Sequence, residues 1–314
     1  LSKQMKLMAA SGNAPVINGS GLQAIGLDIQ DPFSKISVEG LEIAHWTAIG
    51  IRNTGDLTVV DTKVNGGFSG IVVDGGTANL QQTQITGTVI FGLEIINGGQ
   101  AEVTRTEIID NQFIGVMVVE GQADLTQSRL NRNKHGLVVT NDGAATVFDS
   151  DLSDNSLIAL ENASSTQTVN ASGNWWGSVD ETAVAAQTDG PTDFTPYLGA
   201  STDTDAGNVG FSGDFSILHV TTLGQQVPTE NPASDGRVQE GIDRVLANGT
   251  VYVEPGTYPE AVTVPVPGVT LSGRTGKAVD AVLRSPAGHG LEITTDQVTI
   301  EHLQVTGEAN VTEN

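Results

Sequence analysis

Thirty-seven acidic residues against 14 basic ones give this 314-residue chain a formal net charge of −23, a field that repels nucleic acid and anionic membranes. The absence of cysteine excludes a disulfide scaffold, thiol catalysis and cysteine-ligated zinc. With 38 glycines and only 16% charged residues the composition is unlike that of a helical protein, and no run nears the ~18–20 apolar residues of a membrane span.

The opening LSKQMKLMAA has neither an initiator Met nor a long apolar core, and reads as the cut edge of a processed or longer chain. From residue 26 a repeat governs the sequence. A Gly followed by short aliphatic alternation recurs at GLDI (26–29), GIRN (50–53), GIVV (70–73), GLEI (92–95), GVMV (115–118) and GLVV (136–139), at steps of 24, 20, 22, 23 and 21 residues. A second strand follows as ANL (78–80), AEV (101–103), ADL (123–125) and ATV (145–147), and a third as TQI (83–85), TEI (106–108), SRL (128–130) and SDL (150–152). Polar turns close the unit, with DNQ at 110, NRN at 131 and DNS at 154. No such strand can bury its apolar face alone, but stacked units bury all three. Three short strands per rung of about 22 residues therefore predict an all-β fold, a right-handed parallel β-helix. Leucine-rich repeats share the length but need a dense Leu/Asn consensus that is missing here.

Stacking makes outward ladders predictable. Strand three offers Gln84, Glu107, Arg129 and Asp151, an alternation of charge that fits a stabilising surface ladder. Strand two offers Asn79, Glu102, Asp124 and Thr146, where two carboxylates one strand spacing apart are either solvated or bridged by Ca²⁺. Strand one offers Val72, Glu94, Met117 and Val138, and its three apolar members are either a candidate interface under a covering loop or another subunit, or equally an ordinary half-buried sheet face.

The rungs stop after QTV (167–169), and NASGNWWGSVD (170–180) places Trp175 and Trp176 in turn-forming sequence. At the end of a coil an indole can plug the apolar cross-section while its N–H bonds to a turn carbonyl. Trp175, Trp176, Phe194 and Tyr197 are thus expected as a cap, one Trp on the core and the other under DFTPYL. Linker sequence without strand alternation follows. Val238, Ile242, Val245 and Leu246 then share one face of a short helix, with Ser234 or Asp235 as N-cap and Gly249 as its stop. Strands resume at VYV (251–253), VTV (262–264), VTL (269–271) and AVL (281–283), with PGTY and PVPG as turns. The expected organisation is a β-helix with its cap over 1–198, a linker over 199–211, and the start of a second β-helix over 212–314. GLEITTDQVTIEHLQV (290–305) parallels GLDIQDPFSKISVEGLEI (26–43), so the chain reads as one period and a little more of a tandem array. Open strand edges at both ends then invite head-to-tail growth with copies of itself or with tandem domains.

The sequence resembles the right-handed parallel β-helix (pectin-lyase-like) superfamily, in particular large bacterial secreted or cell-surface proteins. The resemblance rests on RVQEGIDRVLANGTVYVEPGTYPEAVTVPVPGVTLSGR, on GNWWG followed by DFTPYL, and on the rungs between. It covers nearly all the chain and is specific for fold but not for activity, since catalytic and non-catalytic members share these motifs. It implies an extracellular location. It also implies a route to catalysis in which a basic residue abstracts a proton beside Ca²⁺ held by clustered acids. Of the nearby basic residues Arg105, Arg129, Arg132 and Lys134, Arg129 is the best-placed catalytic candidate, although ion pairing with Glu107 and Asp151 explains it more economically. Asp149, Asp151 and Asp154 lack the partner constellation of an acid–base pair. The five histidines are scattered, and His135 reads as a turn residue. DTDAGN (203–208) has a Ca²⁺-loop flavour through Asp203 and Asp205 but lacks later acidic ligands.

Two functions follow. The leading one is a non-enzymatic extracellular structural protein, a rod or fibre subunit. The alternative is a polysaccharide-active enzyme or carbohydrate-binding module of pectate-lyase, alginate-lyase or epimerase type. Few aromatic residues fall on the rungs to serve as sugar platforms, which favours the first.

Overall fold

The computed structural model describes residues 4–9, 15–21, 23–164, 167–227, 236–286 and 288–307, and divides into two compact units. The first comprises residues 1–170, 186–192 and 202–213; the second comprises 171–185, 193–201 and 214–314. The division differs from the single cut at 198 with a linker over 199–211, because Thr202–Gly213 packs within the first unit and Ala171–Ala185 within the second.

The first unit is the expected right-handed parallel coil. Strand one runs through Ile25–Ile29, Ile49–Asn53, Ser69–Asp74, Phe91–Ile96, Ile114–Val119, His135–Thr140 and Ile158–Asn162, each parallel to the next. Strand two runs from Gln4–Met8 through Lys35–Glu39, Asp56–Val60, Thr77–Gln81, Gln100–Thr104 and Gln122–Thr126 to Ala144–Phe148. Gln4–Met8 adds a strand beside Lys35–Glu39. Strand three is short, from Val16–Asn18 to Glu107–Ile109, and continues as single bridges at Arg129 and Asp151. Ile43, Val64, Ile85, Ile108, Leu130 and Leu152 point inward from it and are fully buried.

Two local rules hold the rungs in register. A Cβ on Gly92 would lie 2.6 Å from the carbonyl of Gly115 and 2.5 Å from Ile108 Cγ2, and Gly50, Gly70, Gly115 and Gly136 are crowded in the same way. The glycine period of the sequence is therefore a column in which each backbone packs directly on the next. Between strands two and three the chain bends through Asp61, Gln82, Arg105, Gln127 and Asp149, with φ of 48, 48, 48, 50 and 51°. This left-handed region is open to polar residues at a modest cost.

The second unit has its own three-sheet coil. Ile217–Val220, Thr250–Val253, Thr270–Gly273 and Thr299–Glu301 form one parallel sheet, with Tyr197–Leu198 antiparallel at its edge. Gly256–Tyr258, Ala281–Ser285 and Gln304–Gly307 form the next, and Val262–Val264 with Leu291–Ile293 the third. PGTY is thus largely strand rather than turn: Tyr258 is buried, and its hydroxyl donates to the carbonyls of Val220 and Glu254 at 3.2 and 2.8 Å. The strands Leu291–Ile293, Thr299–Glu301 and Gln304–Gly307 follow the same order as those of residues 26–43.

The helix spans Arg237–Arg244, with Val238 and Ile242 buried. It stops well before Gly249, so Leu246 is exposed and not on the buried face. Ser234 and Asp235 lie outside the described residues. The N-terminal amides of Val238 and Gln239 donate to Glu260 Oε1 and Oε2 at 3.0 and 2.9 Å, so a distant carboxylate caps the helix. Among the described residues no helix is long and apolar enough to cross a membrane.

Candidate functional site

The candidate chemistry of the first unit lies on its three outer walls. On the strand-three wall, Arg129 is bridged by Glu107 on one side and Asp151 on the other, as the ladder predicts. Arg129 Nε lies 3.7 Å from Glu107 and donates to the carbonyl of Gly210 at 2.7 Å; Nη1 reaches Asp151 at 3.3 Å and Nη2 pairs with Asp203. The guanidinium also sits 5.4 Å from the centre of the Phe211 ring. A base that abstracts a proton needs a free lone pair facing substrate. This guanidinium instead has donors engaged by two acids and a carbonyl, and its face covered.

Residues 202–213 close over this wall. Asp203 also accepts from the amides of Asp205 and Ser212 at 3.0 and 3.1 Å. Asp205 accepts from Asn208 Nδ2 at 2.7 Å and lies 3.8 Å from Arg105. The Gly213 amide donates to Asp149 at 2.6 Å, and burial pushes the Asp149 carboxyl above its ordinary range. Asp203 and Asp205 therefore serve the loop and its arginines. Nothing in the local sequence linked Asp203 to Arg129, 74 positions away. The other basic residues are engaged too: Arg132 pairs with Asp110 at 2.8 Å, holding that carboxyl below its usual range, and Lys134 Nζ lies 4.4 Å from the Phe113 ring centre.

On the strand-two wall, Glu102 and Asp124 are lateral neighbours in the register. Glu102 accepts from Asn79 Nδ2 at 3.1 Å; Asp124 accepts from Gln122 Nε2 at 2.8 Å and Thr146 Oγ1 at 2.7 Å. They line a shallow groove of about 420 Å³ with Asp56, Thr77, Gln100 and Gln122. Among the described residues no group of three or more His, Cys, Asp or Glu side chains converges as for a metal ion.

On the strand-one wall, Val72, Glu94, Met117 and Val138 are consecutive in register, as expected. Val72 and Val138 are only 3% and 5% exposed, because side chains of adjacent rungs cover them; Met117 is half-buried. The exposed apolar surface lies instead on the turn leading into this wall, at Phe68, Val89, Phe113 and Leu157. Glu94, in the middle, accepts from Ser69 Oγ at 3.3 Å, and burial raises its pKa above the ordinary value.

One structural site was not read from the sequence. Asn111, Asn133 and Asn155, each in a turn taken only as polar, form a buried ladder at 22-residue spacing. The amide N–H of Asn111 donates to Asn133 Oδ1 at 3.0 Å and that of Asn133 to Asn155 Oδ1 at 3.1 Å, while Asn133 Nδ2 donates to the Ile108 carbonyl at 2.9 Å. The recurrence of Asn at the second position of DNQ and DNS, and at the third of NRN, was the available signal.

Within the second unit, Trp176 is buried and meets Phe194 edge-to-face at 6.2 Å, while Trp175 is half-buried. Among the described residues Trp176 Nε1 has no hydrogen-bond partner, unlike the expected indole-to-carbonyl bond. Tyr197 is buried, and its ring stacks on His219 at 5.2 Å. His219 in turn faces Tyr252 at 5.2 Å and sets Nδ1 2.8 Å from Glu254. Asp193 accepts from the Val227 amide at 2.7 Å, and burial pushes its carboxyl up to about 7. These aromatic residues pack against one another and leave no open ring face for a ligand to stack on at Tyr197, Phe194 or Trp176.

The family model described as a right handed beta helix region matches residues 18–175, just over half of the chain. No curated protein and no solved structure matches it.

Proposed function

The chain belongs to the right-handed β-helix family, and from that premise we propose that it is a non-enzymatic structural module, a length of rigid β-helical rod working outside the cell at a surface or in a matrix. One observation carries this reading: on the strand-three wall the best catalytic candidate, Arg129, is committed to Asp151, Asp203, Glu107 and the Gly210 carbonyl. Such a wall resists bending, because each charge ties one rung to the next. Parallel strands add in one direction without limit, so the proposal extends to head-to-tail stacking with copies or tandem β-helical domains. Electron microscopy across protein concentration, with and without Ca²⁺, tests it: rods that lengthen with concentration are expected, and monomers throughout would overturn the stacking.

A second reading has its own observation. The strand-two groove presents amide, hydroxyl and carboxylate groups from Thr77, Asn79, Gln100, Glu102, Gln122 and Asp124, which suits the hydroxyls of a polysaccharide. Incubation with pectate, alginate and related polymers separates the two. Cleavage abolished by Arg129→Ala would replace the structural reading; binding weakened by Asp124→Asn without cleavage would make the rod a carbohydrate-binding one.

A further inference from the structure

Stacked rungs cover one another, and one strand of the first unit lacks that cover. The inward side chains of its strand-one column, Ile51, Ile71, Leu93, Val116 and Leu137, are fully buried. Leu27, next in the same column, is only half-buried. Among the described residues no strand pairs with the outer edge of Ile25–Ile29, whereas the strand-two sheet runs one strand further, to Gln4–Met8. This step leaves a slot of about 440 Å³ between Met5 and Leu27, with Ile29 and Ile36 as its buried floor. Met5 is 46% exposed, and the Gln30 amide at the end of the edge has no partner among the described residues.

The second unit shows what fills such a slot. Its GLEI (290–293) repeats the GLDI of residues 26–29, and Thr270–Gly273 pairs with Thr299–Glu301 as Gln4–Met8 pairs with Lys35–Glu39. There the edge is taken: Val262–Val264 lies parallel to Leu291–Ile293, with Val262 beside Leu291, Thr263 beside Glu292 and Val264 beside Ile293. The Val262 amide donates to the Gly290 carbonyl at 3.2 Å, and the Thr294 amide donates to the Val264 carbonyl at 3.1 Å. Both valines are buried. The equivalent positions in the first unit are the Gly26 carbonyl and the Gln30 amide.

We propose that the slot takes, as an added parallel strand, an extended Val–Thr–Val segment from a neighbouring β-helical module. The edge supplies main-chain hydrogen-bonding groups, and the two valines cover Leu27 and the apolar floor. The central threonine lies beside Asp28, where an acidic residue would set like charges side by side. The proposal rests on the head-to-tail reading above and names its joint.

The test uses the full chain and a fluorescein-labelled peptide with the sequence of residues 259–268, PEAVTVPVPG. Its analogue carries aspartate in place of the two strand valines. Fluorescence anisotropy should show saturable binding of the first peptide, about tenfold weaker for the analogue and for the chain carrying Met5→Asp. Met8→Asp, exposed on the same strand but outside the slot, should leave binding unchanged. Circular dichroism checks that both variants fold, and hydrogen exchange across residues 25–30 should slow when the peptide is bound. No saturable binding, equal binding of the two peptides, or undiminished binding by the Met5→Asp chain overturns the proposal. Electron microscopy with excess peptide separates the joint from stacking itself. Rods shortened by the peptide support both, and rods unchanged by it place the slot outside the joint and sink the proposal while stacking stands. Peptide binding to a chain that stays monomeric keeps the slot and removes the stacking.

Discussion

The strand-one and strand-three walls of the first unit are built on the same rungs, yet they treat charge in opposite ways. On strand three, Glu107, Arg129 and Asp151 alternate in sign, and the loop of residues 202–213 adds Asp203 and the Phe211 ring. On strand one, Glu94 stands between Val72 and Met117 with the Ser69 hydroxyl donating to it, and burial raises its pKa. The inward residues of both are aliphatic and interchangeable in kind. The lesson is that a β-helix separates its stability, which comes from the inward columns and backbone ladders, from its surface chemistry, which each wall can vary at little cost to the fold.

The largest expected effect breaks both walls at once. Gly92→Val would drive a side chain into the Gly115 carbonyl and Ile108, so the rung cannot close; a loss of about 3 kcal/mol or more in urea unfolding is expected. Gly98→Ala, at a turn glycine with φ of 78° and no atom within 4 Å of the added carbon, should cost only about 1 kcal/mol. Next, Arg129→Ala removes the partner of two nearly buried acids, Asp151 and Asp203; allowing for its own partial exposure, about 2 kcal/mol is expected. Hydrogen exchange should quicken across residues 202–213 and not across the strand-one wall. If both regions quicken equally, the walls are not independent. Asn133→Ala, which leaves ladder amides without acceptors, should also cost about 2 kcal/mol, with exchange rising in the turns of Asn111 and Asn133.

The smallest effect is the one that most sharpens the contrast. Glu94 has a raised pKa, so its contribution to stability is fully present below the ordinary carboxylate range and is lost as pH rises through the raised value. Asp110, lowered by Arg132, contributes stability above the ordinary range that is lost as pH falls through its lowered value. Glu94→Gln should therefore raise Tm more at pH 8 than at pH 4. Asp110→Asn should lower Tm at pH 8 and leave it nearly unchanged in strong acid. Calorimetry at the two pH values reads both; the same sign for the two variants at pH 8 would show that the walls share one electrostatic environment.

Much of the candidate site was legible because its signals are periodic. Glu107, Arg129 and Asp151 recur at rung spacing, so their contact follows from stacking alone, and the same holds for Glu102 beside Asp124 and for Val72, Glu94 and Met117. What escaped was carried by residues outside the period. The Ca²⁺-loop flavour of Asp203 and Asp205 was a local pattern; the loop that contains them turns its carboxylates toward Arg129 and Arg105 instead. The helix N-terminus was sought in the preceding residues, whereas the cap comes from Glu260, more than 20 positions later. On strand one, burial decides between the two readings the sequence left open. Val72 and Val138 alternate outward as expected, but neighbouring rungs shield them, and the open apolar surface falls on the turn at Phe68 and Phe113.

The sequence by itself determined the coil: glycine spacing sets the points of closest backbone approach, and period-2 alternation sets which side chains fill the interior. These are one-dimensional constraints, each enforced by sterics within a rung or between adjacent rungs. Only the tertiary structure decided which outward groups are neutralised, which are covered, and which are left facing solvent. Those outcomes depend on where irregular segments such as 202–213 return, and sequence distance carries no trace of that return.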